Sequence, residues 1–88
     1  MIRKTIVIEN KLGMHARPAT MIVKIASKFR SDFHIIKGDM EINGKSIMGV
    51  MTLAAEYGSE LELVADGVDE EYLIREIAEL FASKFGEE

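Results

Sequence analysis

The chain contains no cysteine. This absence excludes disulfides, thiolate chemistry and cysteine-type metal sites, and it favours a reducing, intracellular compartment. Long hydrophobic runs are also missing, which excludes a helical membrane span, and the residues from Met1 to Lys4 do not begin a secretory signal. We therefore expect a cytoplasmic protein that does not insert into a membrane.

Histidine is scarce as well, since His15 and His34 are the two in the chain. With no cysteine and no acidic pair at metal-ligand spacing, these histidines do not indicate a zinc site. His34 falls in a predicted strand without clustered partners, so we interpret it as a structural or merely exposed residue. We expect neither a bound metal nor a cofactor.

The net charge of −4 argues against a general nucleic-acid binder. This average conceals an asymmetry along the chain. Residues 1–48 carry nine Lys and Arg against four Asp and Glu, whereas residues 49–88 carry two against eleven. His15 lies in the basic half, which we expect to attract partners with acidic surfaces.

The composition allows a single domain over residues 1–88, because 48% of the residues are hydrophobic and many chains of this length fold alone. Hydrophobic periodicity predicts the element order βαββαβα. Strands are predicted at residues 2–9, 33–37, 40–42 and 60–65; helices are predicted at residues 16–29, after Ser46, and from Asp69 to a close at Lys84 and Gly86. Because long crossovers are few, we predict an α+β fold with an antiparallel or mixed sheet and helices on one face.

The segment with most chemical content is Gly13-Met14-His15-Ala16-Arg17-Pro18-Ala19. Pro18 suits the first turn of a helix, so the helix begins near His15. A phosphoryl group on His15 would meet the free amides of Ala16 and Arg17, and the helix dipole favours a neutral, nucleophilic imidazole. The Arg17 guanidinium could neutralise phosphate oxygens. The alternative is that His15 merely replaces an N-cap residue and Arg17 is a solvated helix residue.

A second segment, from Gly38 to Ser46, resembles a Walker A loop but has one residue too many, and its middle is typical of a strand. We therefore exclude nucleotide binding there. Ser46 is better placed as the N-cap of the short helix. A phosphate on Ser46 would be tolerated there and would add about −1.5 to −2 charge, so regulatory phosphorylation is a second role for this residue.

Three apolar residues follow Ser46 in the predicted short helix: Ile47, Met48 and Met51. At such spacing they are usually core residues. A short helix cannot bury every face, however, and methionine adapts to varied partner surfaces. A docking patch is therefore the second interpretation of these residues.

Two strings together resemble the HPr family, the histidine-containing phosphocarriers of the bacterial phosphoenolpyruvate-dependent phosphotransferase system: Asn10-Lys11-Leu12-Gly13-Met14-His15-Ala16-Arg17-Pro18-Ala19 and Lys45-Ser46-Ile47-Met48-Gly49-Val50-Met51. The resemblance covers the whole chain. It implies an open-faced β-sandwich in which a four-stranded antiparallel sheet carries three helices on one face. We also expect a monomer that acts as a carrier without autonomous catalytic activity.

The same resemblance implies roles for individual residues. His15 would accept a phosphoryl group on Nδ1 from enzyme I, itself charged by phosphoenolpyruvate, and pass it to a IIA protein or domain for sugar uptake. Arg17 would interact with that phosphoryl group. Ser46 would be phosphorylated with ATP by an HPr kinase/phosphorylase, which slows acceptance at His15. Partner contacts would fall on residues of the two helices that follow these motifs: Ala16, Thr20, Lys24, Ile47, Met48 and Met51.

The two strings point to different branches of the family. Members of the sugar branch often have Asn, Ser or Thr where this chain has Leu12, so the His15 string is closer to the nitrogen-related branch. The Ser46 string is similar to the kinase-regulated sugar branch. Two alternatives follow: a nitrogen-related or chiefly regulatory member that controls transcription or metabolism instead of sugar transport, the regulatory one through a transcription regulator that binds the Ser46-phosphorylated form, and an unrelated α+β interaction or small-ligand domain.

Overall fold

Four strands form one sheet in a computed structural model that describes residues 1–87. The elements in chain order are β1 (Ile2–Val7), α1 (Ala16–Ala26), β2 (Asp32–Lys37), β3 (Met40–Asn43), α2 (Ile47–Thr52), β4 (Glu60–Asp66) and α3 (Glu70–Ala82), followed by a single 3-10 turn (Lys84–Gly86). The sheet order is β1-β4-β2-β3, and every neighbouring pair is antiparallel. The predicted α+β class and βαββαβα order are confirmed, and of the two sheet types left open the antiparallel one is formed.

The core lies between the sheet and the three helices. In β4, Leu61, Leu63 and Ala65 are buried, while Glu60 is exposed on the opposite face. Because strand side chains alternate between faces, one side of the sheet is apolar and covered and the other remains open. Each helix contributes buried side chains to this core: Ala19, Ile22 and Ala26 from α1, Val50 from α2, and Leu73, Ile77 and Phe81 from α3.

β1 and α1 both end earlier than predicted. β1 ends at Val7 rather than Glu9, because Val7 pairs with Glu60, the first residue of β4. α1 ends at Ala26 rather than Phe29, and the Phe29 amide bonds to the Ala26 carbonyl three residues back, a tightening common where helices end. Just beyond this end, the Lys45 ammonium donates to the Phe29 carbonyl at 2.8 Å.

α3 also ends early, at Ala82, before the predicted close at Lys84 and Gly86. Lys84 and Phe85 have φ values of 58° and 57°, a left-handed conformation that a right-handed helix does not accommodate. The turn places Phe85 in the core, where its ring lies edge-on to Phe81 at a centroid distance of 4.9 Å. The chain therefore reverses after α3 and returns toward the start of α1.

Asp69, predicted to support the start of α3 by its charge, makes no side-chain cap of that helix. Its carboxylate instead accepts hydrogen bonds from the Ser31 hydroxyl and from the amides of Arg30 and Ser31. The Ser31 hydroxyl and then the Arg30 amide are the main causes that lower the pKa of Asp69 to about 2. This carboxylate stays charged above that pH and ties the start of α3 to the start of β2.

The longest helix, α3, has 13 residues. Among residues 1–87, no helix combines the length and apolar character that a membrane crossing requires.

Candidate functional site

The loop between β1 and α1 is held against the segment that precedes β4. The Met14 amide donates to the Ala55 carbonyl at 2.8 Å. Gly13 has a φ of +73°, and a Cβ there would lie 2.8 Å from the Ala55 oxygen, so this close approach requires glycine. These contacts therefore fix the position of the backbone just before His15.

His15 is the N-cap residue of α1, which confirms the predicted start of that helix. Its backbone is extended, with φ −136° and ψ −171°, and its carbonyl accepts the first helical bond from the Ala19 amide at 3.0 Å. The imidazole makes no cap hydrogen bond to α1. Because that ring is 38% exposed, it is accessible to another molecule.

The ring instead contacts a carboxylate from the other end of the sequence. His15 Nε2 lies 2.7 Å from Oε2 of Glu87, and Arg17 Nη1 lies 3.3 Å from the same oxygen. Arg17 Nη1 also donates to the Phe85 carbonyl at 3.1 Å. The predicted pair His15 and Arg17 is thus brought together around one anionic oxygen.

Asn10 completes this cluster. Its side chain is buried, and its Nδ2 donates to the Gly13 carbonyl at 2.8 Å and to Oε1 of Glu87 at 2.9 Å. The bond from Asn10 is the main cause that lowers the pKa of Glu87, and contacts with His15 and Arg17 act in the same direction. Partial burial opposes this shift, so the hydrogen bonds outweigh desolvation and Glu87 is ionised at neutral pH.

Sequence reasoning missed both Asn10 and Glu87. Asn10 belongs to the motif around His15, so the sequence indicates that it lies near His15 but not which groups it contacts. Glu87 is 72 residues from His15, and no local pattern indicates their contact. The acidic half of the sequence therefore reaches into the site of the basic half.

Ser46 lies at a different helix end. It is the N-cap of α2, and its Oγ accepts a hydrogen bond from the Gly49 amide at 3.1 Å. The predicted capping role is confirmed. In the described part of the chain, no hydrogen bond joins Ser46 to His15, but α1 and α2 pack against each other.

The apolar residues of α2 divide between the core and solvent. Val50 is buried, whereas Ile47, Met48 and Met51 are exposed, with Met48 76% accessible. On α1, Ala16, Thr20 and Lys24 are exposed at four-residue spacing and therefore share one face. Because the two helices are in contact, the residues predicted to dock partners lie on neighbouring surfaces.

His34 lies elsewhere, in β2, where it pairs with Val64 of β4 and Asn43 of β3. It is half-buried on the sheet face opposite the core. Across residues 1–87, no three or more His, Asp or Glu side chains are grouped closely enough to hold a metal ion.

Comparisons with known proteins agree with this geometry. Residues 2–83 match the family described as "PTS HPr component phosphorylation site". The chain is 49% identical over 88 residues to phosphocarrier protein HPr of Treponema pallidum, covering all of both chains, and 45% identical over 87 residues to that of Neisseria meningitidis serogroup B, covering 99% and 98%. It is also similar to the crystal structure of HPr from Thermoanaerobacter tengcongensis, with a TM-score of 0.96, 48% identity, and coverage of 100% and 99%.

Proposed function

The chain belongs to the HPr family of phosphocarrier proteins of the phosphotransferase system, and on this premise we propose that His15 is its phosphoryl acceptor. One observation carries the assignment. His15 Nε2 and Arg17 Nη1 converge on a single carboxylate oxygen, at 2.7 Å and 3.3 Å, so the two side chains already accommodate an anion together. The Arg17 guanidinium is therefore close to the imidazole on its Nε2 side, and to meet a phosphoryl group on Nδ1 it would exchange its 3.3 Å contact with Glu87 for the phosphoryl oxygens.

The donor in this proposal is phosphorylated enzyme I, and the acceptor is a IIA protein or domain. The Nδ1 lone pair attacks phosphorus while the donor's bond to phosphorus breaks and its electron pair leaves with the donor. The Arg17 guanidinium and the amides of Ala16 and Arg17 stabilise the phosphoryl oxygens. Partners supply the rest of the machinery, so the protein acts as a carrier.

Docking of these partners is assigned to the neighbouring exposed faces of α1 and α2. The exposure of Met48 and Met51 supports this role, because adaptable apolar side chains outside the core fit more than one partner surface. The surface consists of six exposed residues along the two helices: Ala16, Thr20, Lys24, Ile47, Met48 and Met51.

Ser46 is assigned a regulatory role, as the substrate of an HPr kinase/phosphorylase. Its position at the start of α2 supports this, because the helix N-terminus tolerates an added anion while the docking residues Ile47 and Met48 follow directly. The added charge would oppose partners with acidic surfaces and slow transfer to His15.

The branch of the family is assigned to sugar uptake because of the Ser46 string. The alternative, a nitrogen-related or chiefly regulatory member, is favoured by Leu12, whose apolar side chain is 75% exposed in the loop before His15. Sugar-branch members often have a polar residue there. Comparing phosphoryl transfer to sugar-specific and nitrogen-related IIA proteins distinguishes the two.

The central assay measures acid-labile phosphate on the protein after incubation with enzyme I and labelled phosphoenolpyruvate. We expect labelling of the wild-type protein and of Ser46→Ala, and none of His15→Ala, because the nucleophile is then missing. Label that persists on His15→Ala would show that another residue is the acceptor. A folded wild-type protein that takes no label would contradict the phosphocarrier assignment.

A further inference from the structure

Glu87 contacts the ring nitrogen of His15 that does not take part in the proposed attack. Its Oε2 lies 2.7 Å from Nε2, and an ionised carboxylate can only accept a hydrogen bond. The ring must therefore carry a proton on Nε2. In a neutral imidazole the other nitrogen, Nδ1, then has a free lone pair.

We propose that Glu87 is a positioning residue that holds His15 as its Nε2-protonated tautomer and thereby presents Nδ1 as the nucleophile. This rests on the proposed role of His15 as phosphoryl acceptor. A carboxylate in the same relation to a catalytic histidine fixes tautomer and ring orientation in other nucleophilic sites.

Both oxygens of the Glu87 carboxylate are engaged, so its orientation is defined. Oε1 accepts from the buried Asn10 amide at 2.9 Å, while Oε2 faces His15 and Arg17. The Glu87 side chain is 13% exposed. Water therefore has limited access to this carboxylate and competes little for its hydrogen bonds.

The backbone before Glu87 is fixed as well. Phe85 is fully buried against Phe81, and Lys84, Phe85 and Gly86 all have positive φ values. A left-handed conformation is unfavourable for Lys and Phe, and it persists where surrounding packing determines it. The buried Phe85 ring thus anchors a reversed chain that aims Glu87 at His15.

The charges balance when this contact is kept through the transfer. The new Nδ1–P bond forms from the ring's lone pair, the donor–P bond breaks with its electron pair going to the donor, and Nε2 keeps its proton. The ring then carries a positive charge beside the Glu87 carboxylate, which compensates it. Arg17, at 3.3 Å from Glu87, can exchange this longer contact for the phosphoryl oxygens.

The test combines nitrogen-15 NMR of the unphosphorylated protein with transfer kinetics. Long-range correlations within the His15 ring at a pH where it is neutral should report the Nε2–H tautomer. Glu87→Gln keeps the shape and removes the charge, so we expect a mixture of tautomers and transfer from enzyme I slowed by about tenfold or more. Glu87→Asp, one methylene shorter, should be intermediate. Glu71→Gln makes the same change at an exposed position of α3 and should alter neither readout.

Three results would overturn the inference: an Nδ1–H tautomer in the wild-type protein, unchanged tautomer and rate in Glu87→Gln, or faster transfer in that variant. The last would mean that Glu87 obstructs the site as a competing anion. The tautomer measurement needs no enzyme I, so it remains informative even if the wild-type protein takes no phosphate. That separate failure would count against the proposed function itself.

Discussion

The N-termini of α1 and α2 each carry a side chain assigned to accept phosphate, but α2 has a side-chain cap and α1 has none. Ser46 caps α2 with its own hydroxyl, which accepts from the Gly49 amide. His15 makes no such bond and contacts Glu87, 72 residues away. The Ser46 hydroxyl oxygen is therefore engaged in a hydrogen bond with its own helix. The His15 imidazole makes no hydrogen bond to its helix and is accessible to another molecule.

Packing explains why α1 can form without a side-chain cap. It has 11 residues and buries Pro18, Ala19, Ile22 and Ala26, whereas α2 has six residues and buries Val50 alone. Most helix stability in proteins comes from a packed apolar face, and very short helices depend more on their ends. The proposed phosphoryl acceptor is thus at the N-cap where a missing cap bond costs less stability.

The largest effect is expected from removing the buried ring of Phe85, which fixes the segment that carries Glu87 to His15. Phe85→Ala leaves a cavity beside Phe81 and should lower the free energy of unfolding by about 3 to 5 kcal/mol. Urea unfolding followed by circular dichroism measures this. Tyr57→Ala, at an exposed aromatic residue, should change stability by about 0.5 kcal/mol or less. If both variants lose equally little, the segment after α3 is not anchored by Phe85.

A smaller effect separates the two N-caps directly. Ser46→Ala removes the bond to the Gly49 amide and should cost about 1 kcal/mol of stability. In a Glu87→Ala background, where the contact between His15 and Glu87 is already lost, His15→Ala removes no cap bond and should cost less than half as much in the same urea experiment. Ser27→Ala, at an exposed serine after α1, is the control for loss of a hydroxyl. Equal losses at His15 and Ser46 would remove the distinction between the two helix ends.

Local signals made much of the fold and part of the site predictable. Pro18 and Gly13 marked the start of α1, and Ser46 marked the start of α2, because caps and turns depend on neighbouring residues. Hydrophobic periodicity predicted the element order for the same reason. The roles of these residues in the structure therefore follow from short segments.

Other features depend on contacts that no short segment contains. The pairing of His15 with Glu87 requires the chain to reverse at Lys84 and Phe85, residue types that ordinarily do not adopt positive φ. Likewise, six residues of α2 do not define which apolar side chain is buried, and packing against α1 and β3 selects Val50. Tertiary packing determines both outcomes, so sequence patterns left them open.

The smallest stability change is expected where charge is altered without loss of the cap. Asp and Asn are both good N-cap residues, so Ser46→Asp and Ser46→Asn should each change the free energy of unfolding by less than about 0.5 kcal/mol. Only Ser46→Asp adds a negative charge beside Ile47 and Met48, and it should slow phosphoryl transfer from enzyme I severalfold.

Initial rates at low and high salt measure this effect, because added salt screens exposed charges and should narrow the difference between the two variants. If Ser46→Asn slows transfer as much as Ser46→Asp, the cause is the lost hydroxyl and not the charge. The α2 terminus would then influence His15 through its shape, as a structural neighbour, and electrostatic regulation at Ser46 would have no support.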